Sequence, residues 1–244
     1  KTAYEISRSD WSSDVCSSDL GLKIYMLPLN GSENLKRRYQ RLQKETRRNS
    51  AAGSAKPNPP RKLTRAEKKQ IAEMAYDFLE DRDTIIIDDA STSFYLAREI
   101  RNHPEKRIAV VTNSLITGNE LAGVGHVELF MIGGYVTGHL AATMGDVAIQ
   151  NMSKFHVDKA FIGVHSINFN VGLTSIATPQ MEVKKAIMKA AEKVYVLADS
   201  SKFGGGYLSV ICPTNEVYKI ITDDGVSREN IRKAEELDVP LVIA

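Results

Sequence analysis

The sequence predicts an α/β fold, a mostly parallel sheet with helices on both faces, and three observations carry that expectation. From residue 62 onward, short runs of β-branched apolar residues alternate with stretches of helical periodicity. Those runs are apolar throughout rather than every second residue, as in strands buried on both faces. The connections are short, and alternating strands and helices wind into a parallel sheet whose crossovers cover it. A chain of 244 residues, 43% hydrophobic and 25% charged, has room for one such globular domain and a smaller appendage.

The chain in order justifies each element. Residues 1–20, with Ser-Ser-Asp at 12–14 and again at 17–19, have neither helical nor strand period. They resemble translated sequencing-adapter sequence and are set aside from fold reasoning, with the true N-terminus expected to be missing. Residues 21–61 read as a short basic segment and linker. Leu35, Tyr39 and Leu42 fall at helical spacing, with Lys36, Arg37, Arg38, Arg41 and Lys44 on the other faces. The Pro- and Ser-rich stretch up to Pro60 is a linker. From Glu33 to Gln70, 13 Lys/Arg stand against three Glu, a net of +10, which leaves −8 for the remainder. A basic segment on an acidic globule directs the segment, not the globule, toward a polyanion.

Residues 62–244 form the expected domain. Thr64 and Glu67 make a capping box, and Ile71, Met74, Ala75, Phe78 and Leu79 follow as one apolar stripe. Thr84 to Ile87 is the first strand. It ends in Asp88-Asp89-Ala90-Ser91-Thr92-Ser93, with Ser91 or Thr92 expected to cap the next helix. A second strand ends in Thr112-Asn113-Ser114, and a third in Gly133-Gly134. A fourth, residues 159–164, leads to a long glycine-containing loop at 165–178, a length usually reserved for function. A helix through Val183 and Ile187 and a fifth strand follow, the latter ending in Asp199-Ser200-Ser201-Lys202. Residues 218–223, a helix to Leu237 and residues 241–243 close the chain.

Ligands of open parallel sheets bind beyond the carboxyl ends of the strands. Here those ends are small and polar, and an acid delivered to a helix N-terminus suits a hydroxyl-rich anion: carboxylate for hydroxyls, free N–H groups for phosphate. The candidate effector-binding residues are Asp88, Ala90, Ser91, Thr92, Asn113, Ser114, Gly133, Gly134, Asp199 and Lys202. Lys184, near a helix start, can reach the same mouth. No Gly-x-Gly-x-x-Gly follows a strand and no Walker-type loop is present, so no nucleotide cofactor is expected. Cys16 and Cys212 give neither metal spacing nor a disulfide framework, and no apolar run reaches membrane-spanning length. No metal and no membrane partner are expected, and a reducing, cytoplasmic setting is.

Taken together in this order, Ile87-Asp88-Asp89-Ala90-Ser91-Thr92, Val111-Thr112-Asn113-Ser114, Ile132-Gly133-Gly134, Asp158-Lys159-Ala160-Phe161-Ile162-Gly163, Glu182-Val183-Lys184-Lys185, residues 197–204 and Ile221-Thr222-Asp223 resemble the C-terminal effector domain of the DeoR family of bacterial transcription regulators. The family pattern has Gly where Ala90 stands and an acid where Gln180 stands. The resemblance implies a domain similar to ribose-5-phosphate isomerase, a phosphorylated sugar as inducer, and an N-terminal winged helix-turn-helix that it releases from operator DNA. In that alignment Lys36, Arg37, Arg38 and Arg41 fall on the recognition helix, in a truncated or degenerate form. A repressor of sugar metabolism acting as a homodimer or tetramer is therefore expected, and not an enzyme. The alternative is a sugar-phosphate isomerase, for which Asp88, Asp199 and Lys202 supply suitable residue types.

Overall fold

A computed structural model of the chain describes residues 65–136 and 141–244. The adapter-like segment, the basic run from Lys36 to Lys44, the linker and the Thr64 half of the capping box lie outside the described residues. By its contacts the chain divides between Arg61 and Lys62, and everything described belongs to the second unit.

The elements run α1 (Arg65–Asp77), β1 (Thr84–Ile87), α2 (Ser91–Asn102), β2 (Ile108–Thr112), α3 (Leu115–Leu121), β3 (Val127–Met131), β4 (Tyr135–Val136), β5 (Thr143–Met144), α4 (Gly145–Met152) and β6 (Val157–Ile162). They continue as β7 (Ser166–Asn168), β8 (Gly172–Ser175), α5 (Thr178–Lys189), β9 (Ala191–Leu197), β10 (Ser209–Cys212), β11 (Lys219–Thr222), α6 (Arg228–Glu236) and β12 (Leu241–Ile243). Seven strands make one sheet in the order β12-β11-β9-β6-β1-β2-β3, and every neighbouring pair is parallel.

The sheet's two faces explain the unbroken apolar runs. Ile86 packs into one core with Ala160, Ile162, Val194 and Val196, beneath α4 and α5. Ile85 and Ile87 point the other way, into a second core with Phe161, Tyr195 and residues of α1 and α2. Each central strand thus divides its side chains between two buried layers, and alternation disappears from the sequence. In α1 the buried positions are Glu67, Ile71, Ala72, Ala75 and Tyr76, so Ala72 and Tyr76 widen the predicted apolar stripe. The amino ends of β1 and β6 are tied together at the end of the sheet opposite Asp88. Thr84 donates its N–H and hydroxyl to Asp158 at 2.8 and 2.6 Å, and buried Lys159 pairs with Asp83.

Two expectations require correction. The predicted loop at 165–178 is mostly structured: β7 and β8 form an antiparallel hairpin, which β10 joins as a three-stranded sheet. Strands of three and four residues, rich in Ser, Thr, Asn and Gly, carry no apolar run, although all four residues of β8 are buried. The cap of α2 is neither Ser91 nor Thr92 but Ala90, which offers no side-chain bond. Asp88 instead braces the turn into the helix, accepting from the Ala90 N–H at 3.0 Å and the Ser93 hydroxyl at 2.6 Å.

At α3 the expected choice between Asn113 and Ser114 falls to Ser114, whose hydroxyl accepts from the Thr117 N–H at 3.2 Å. Seven residues are too few for a helix to stand alone. Ser114→Ala is therefore expected to destabilise the fold by about 1 kcal/mol, read as a lower urea midpoint at unchanged m-value. An unchanged midpoint would mean that packing alone holds α3.

Candidate functional site

From β1 the chain steps outward to β2 and β3, then returns to β1's other side for β6, β9, β11 and β12. The order reverses between β1 and β6. Ligands of open parallel sheets bind in the crevice outside the carboxyl ends of the strands at such a reversal, which makes this end of β1 and β6 the candidate site.

Asp88 is the fully buried centre of this end of the sheet. Besides Ala90 and Ser93, it accepts from the Gly163 N–H at 2.8 Å, just beyond β6, and from the Lys184 ammonium. Its carboxylate thus ties β1, β6, α2 and α5 together. Lys184 is itself buried and lies 3.8 Å from Asp89 as well. Burial alone would lower the Lys184 pKa, but Asp88 and Asp89 outweigh it and hold the ammonium above the ordinary lysine value. For Asp89, burial dominates and raises the carboxyl above its usual range, against the attraction of Lys184 and a hydrogen bond from Gln180.

His165 lies two residues beyond Gly163, with Nδ1 3.3 Å from the Ser175 hydroxyl and its ring edge-on to Tyr207 at 6.1 Å. Burial, then the charges of Lys184 and Lys202, push its pKa down to about 4, with Asp88 opposing. Lys202 closes the single turn Ser200–Lys202 after β9. Asp199 caps that turn through the Ser201 N–H at 2.9 Å and the Ser201 hydroxyl. Its oxygen Oδ1 is therefore engaged in shaping the turn that carries Lys202.

The other predicted residues are distributed unevenly. Thr92 and Ser114 are buried, while Ser91 is exposed and accepts from Lys68 at 3.0 Å. Asn113 donates to the Thr143 carbonyl at 3.2 Å, and its Oδ1 is buried without a partner among the described residues. Gly133 and Gly134 lie exposed beyond β3, near the sheet's edge. Gly134 has φ +155°, and a methyl group there would stand 2.9 Å from both Ala148 Cβ and the Met144 carbonyl. Its glycine serves the chain's own packing against α4.

Sequence reasoning missed His165 and Gly163 as parts of the site, and it placed Asp89 in the strand end and Gln180 at the pocket rim without naming either as a binding residue. The rule that selected Asp88, small or polar residues just past a strand, also points to Gly163 and His165. A lone histidine opening a supposed loop did not stand out. Two hollows, of about 430 Å³ beside Met188 and Tyr218 and about 330 Å³ between α4 and α5, lie away from this crevice. Among the described residues no cluster of His, Cys, Asp and Glu could hold a metal, and no helix is long and apolar enough to cross a membrane.

The profile of the DeoR C-terminal sensor domain matches residues 64–224. A relative from Escherichia coli O157:H7, named for repression of the aga operon, is 31% identical over 175 residues, 70% of this chain and 64% of its own length. The chain thus spans less than two thirds of that relative. The HTH-type transcriptional regulator IolR of Bacillus subtilis is 29% identical over 178 residues, 73% of this chain and 70% of its own. Among solved structures, ribose 5-phosphate isomerase A from Neisseria gonorrhoeae aligns at 21% identity with a TM-score of 0.42, covering 58% of this chain and 55% of its own. At that score the likeness bears on neither chemistry nor assembly. The match to most of residues 62–244 is decisive by itself, and the chain belongs to the DeoR C-terminal sensor domain family.

Proposed function

We propose that the crevice at the carboxyl ends of β1, β2, β6 and β9 binds a phosphorylated sugar, and that the chain is the effector-binding part of a transcriptional repressor of sugar metabolism. The observation that carries this reading is the group of basic side chains at the switch point. Lys184, Lys202 and His165 converge there, beside the N-terminus of α2, whose first N–H groups have no intrahelical acceptor. Asn113 Oδ1 offers a sugar hydroxyl an unused acceptor. The names of the relatives, regulators and an operon repressor, support the regulatory half of the reading.

The same reading assigns residues 62–244 to effector binding and residues 21–61 to a remnant of the DNA-binding region. Lys36, Arg37, Arg38 and Arg41 then contact operator phosphates in the parent protein. A regulator of two-fold operators is itself two-fold, hence a dimer or tetramer. The isomerase alternative needs a carboxylate free to take a proton. Asp88 accepts from four donors, and Asp199 is held by its own turn. Binding without turnover is therefore expected.

Lys202→Ala is expected to weaken binding of a sugar phosphate by roughly 1.5–3 kcal/mol, the scale of a hydrogen bond to a charged group. Calorimetry over a panel of pentose and hexose phosphates checks this, with enediol formation followed in parallel. Unchanged affinity would remove Lys202 from the site, and turnover would favour the isomerase.

A further inference from the structure

The half-buried ring of His165 leaves one basic nitrogen, Nε2, without a partner among the described residues. Ser175 has a single hydroxyl hydrogen and lies within reach of both His165 Nδ1, at 3.3 Å, and the Ala177 carbonyl, at 3.4 Å. A carbonyl can only accept, so when the hydroxyl donates to Ala177, Nδ1 must carry the imidazole hydrogen and donate to Ser175. Nε2 is then a bare lone pair, and among the described residues it has no hydrogen-bond partner. The groups around the ring are Lys184 from α5, Lys202 from the turn after β9 and Asp88 from the end of β1, with the neutral Tyr207 and Ser175 beside it. The ring is uncharged in the empty crevice because burial and two ammonium groups disfavour a third cation, and one carboxylate does not compensate.

We propose that His165 is a ligand-contacting residue of this crevice: a bound dianion places an oxygen against Nε2, which takes one proton from solvent and donates it as a charged hydrogen bond. The proposal rests on reading the crevice as a phosphate site. A dianion between Lys184 and Lys202 reverses the sign of the local field, and the imidazolium, destabilised before, becomes the favoured form. Binding and protonation are then linked, each promoting the other. The specificity consequence is that dianionic phosphate monoesters are preferred over monoanionic sugar acids of the same size, which leave the third cation undercompensated. No chemistry beyond this proton transfer is involved.

Sulfate is the probe of choice, because it stays a dianion across the useful pH range and any proton taken up must belong to the protein. The full chain is titrated with sulfate from pH 7.5 to 5.5 by calorimetry, while the His165 ring nitrogens are followed by NMR. Across this range the His165 ring of the free protein should stay neutral, and that of the sulfate-saturated protein should titrate with a midpoint near or above the ordinary 6.5. A midpoint restored to about 6.5 makes sulfate bind roughly tenfold more tightly at pH 5.5 than at 7.5. His165→Gln, which cannot take the proton, should bind with nearly flat pH dependence. If sulfate perturbs the Lys202 and residue 91–93 signals but leaves the His165 midpoint in place, the proposal is overturned while the phosphate site stands. If sulfate perturbs none of them, the reading of the crevice falls, and the proposal with it.

Discussion

Lys184→Met is expected to lower the unfolding free energy by about 3–5 kcal/mol, the scale of removing one partner from a buried ion pair. The two side chains are similar in length and volume, so little of the loss comes from a cavity. Most comes from Asp88 and Asp89, left buried with no cation between them. Without the ammonium that opposes it, the upward push of burial on the Asp89 carboxyl should grow in the folded state. A folded-state carboxyl pKa above the unfolded value means that the native protein holds more protons, so stability falls as pH rises through that interval. The deficit relative to the parent should therefore be largest near pH 8 and shrink toward pH 5. Urea unfolding at the two pH values checks this, and Lys184→Gln serves as a second neutral variant. A small deficit, independent of pH, would show that Lys184 acts by packing and that Asp88 is held by its N–H donors alone.

The same cluster shows how far the sequence can be read. Thr84 to Ile87 was legible to the residue because three isoleucines buried on both faces leave only one conformation that fits. Asp88 was legible as important but not in its role. A carboxylate at a strand end looks like a ligand for hydroxyls, and its four donors come from Ala90, Ser93, Gly163 and Lys184, the last two separated from it by 75 and 96 positions. No local pattern records such distances. Lys184 was placed at the mouth by its position near a helix start, but its burial depends on α5 crossing over the carboxyl ends of β1 and β6. The short strands β7 and β8 were not legible for a different reason. Their polar residues are buried by pairing with one another, so their hydrophobicity says nothing of their environment. Ala90 could not be recognised as a cap because its side chain makes none of the hydrogen bonds by which a capping residue is known.

Gly163→Ala is expected to be the most damaging single methyl that can be added near the site. A Cβ on Gly163 would clash with the Cβ of Ala90, far inside van der Waals contact. Neither side has an easy retreat. Gly163 donates its N–H to Asp88, and Ala90 is held by the same carboxylate through its own N–H. The cost combines overpacking, typically about 1–3 kcal/mol, with weakening of a charge-assisted bond to a buried acceptor, about 1.5–3 kcal/mol where it is lost. A destabilisation of roughly 2–5 kcal/mol is expected, with the Asp88 contacts loosened and sugar-phosphate binding impaired in whatever protein remains folded. The test is a double-mutant cycle. Ala90→Gly alone should cost only a few tenths of a kcal/mol, since glycine is an acceptable N-cap. In the double variant the methyl has moved from one side of the gap to the other, the clash is gone and the Gly163 N–H bond can re-form. Most of the loss should then be recovered, a coupling of about 1–3 kcal/mol between residues 73 positions apart in sequence. The resemblance to DeoR-family domains, which usually have glycine at the position of Ala90, makes the double variant the natural exchange. Additive losses would mean that Gly163 is required by its own backbone geometry and not by Ala90.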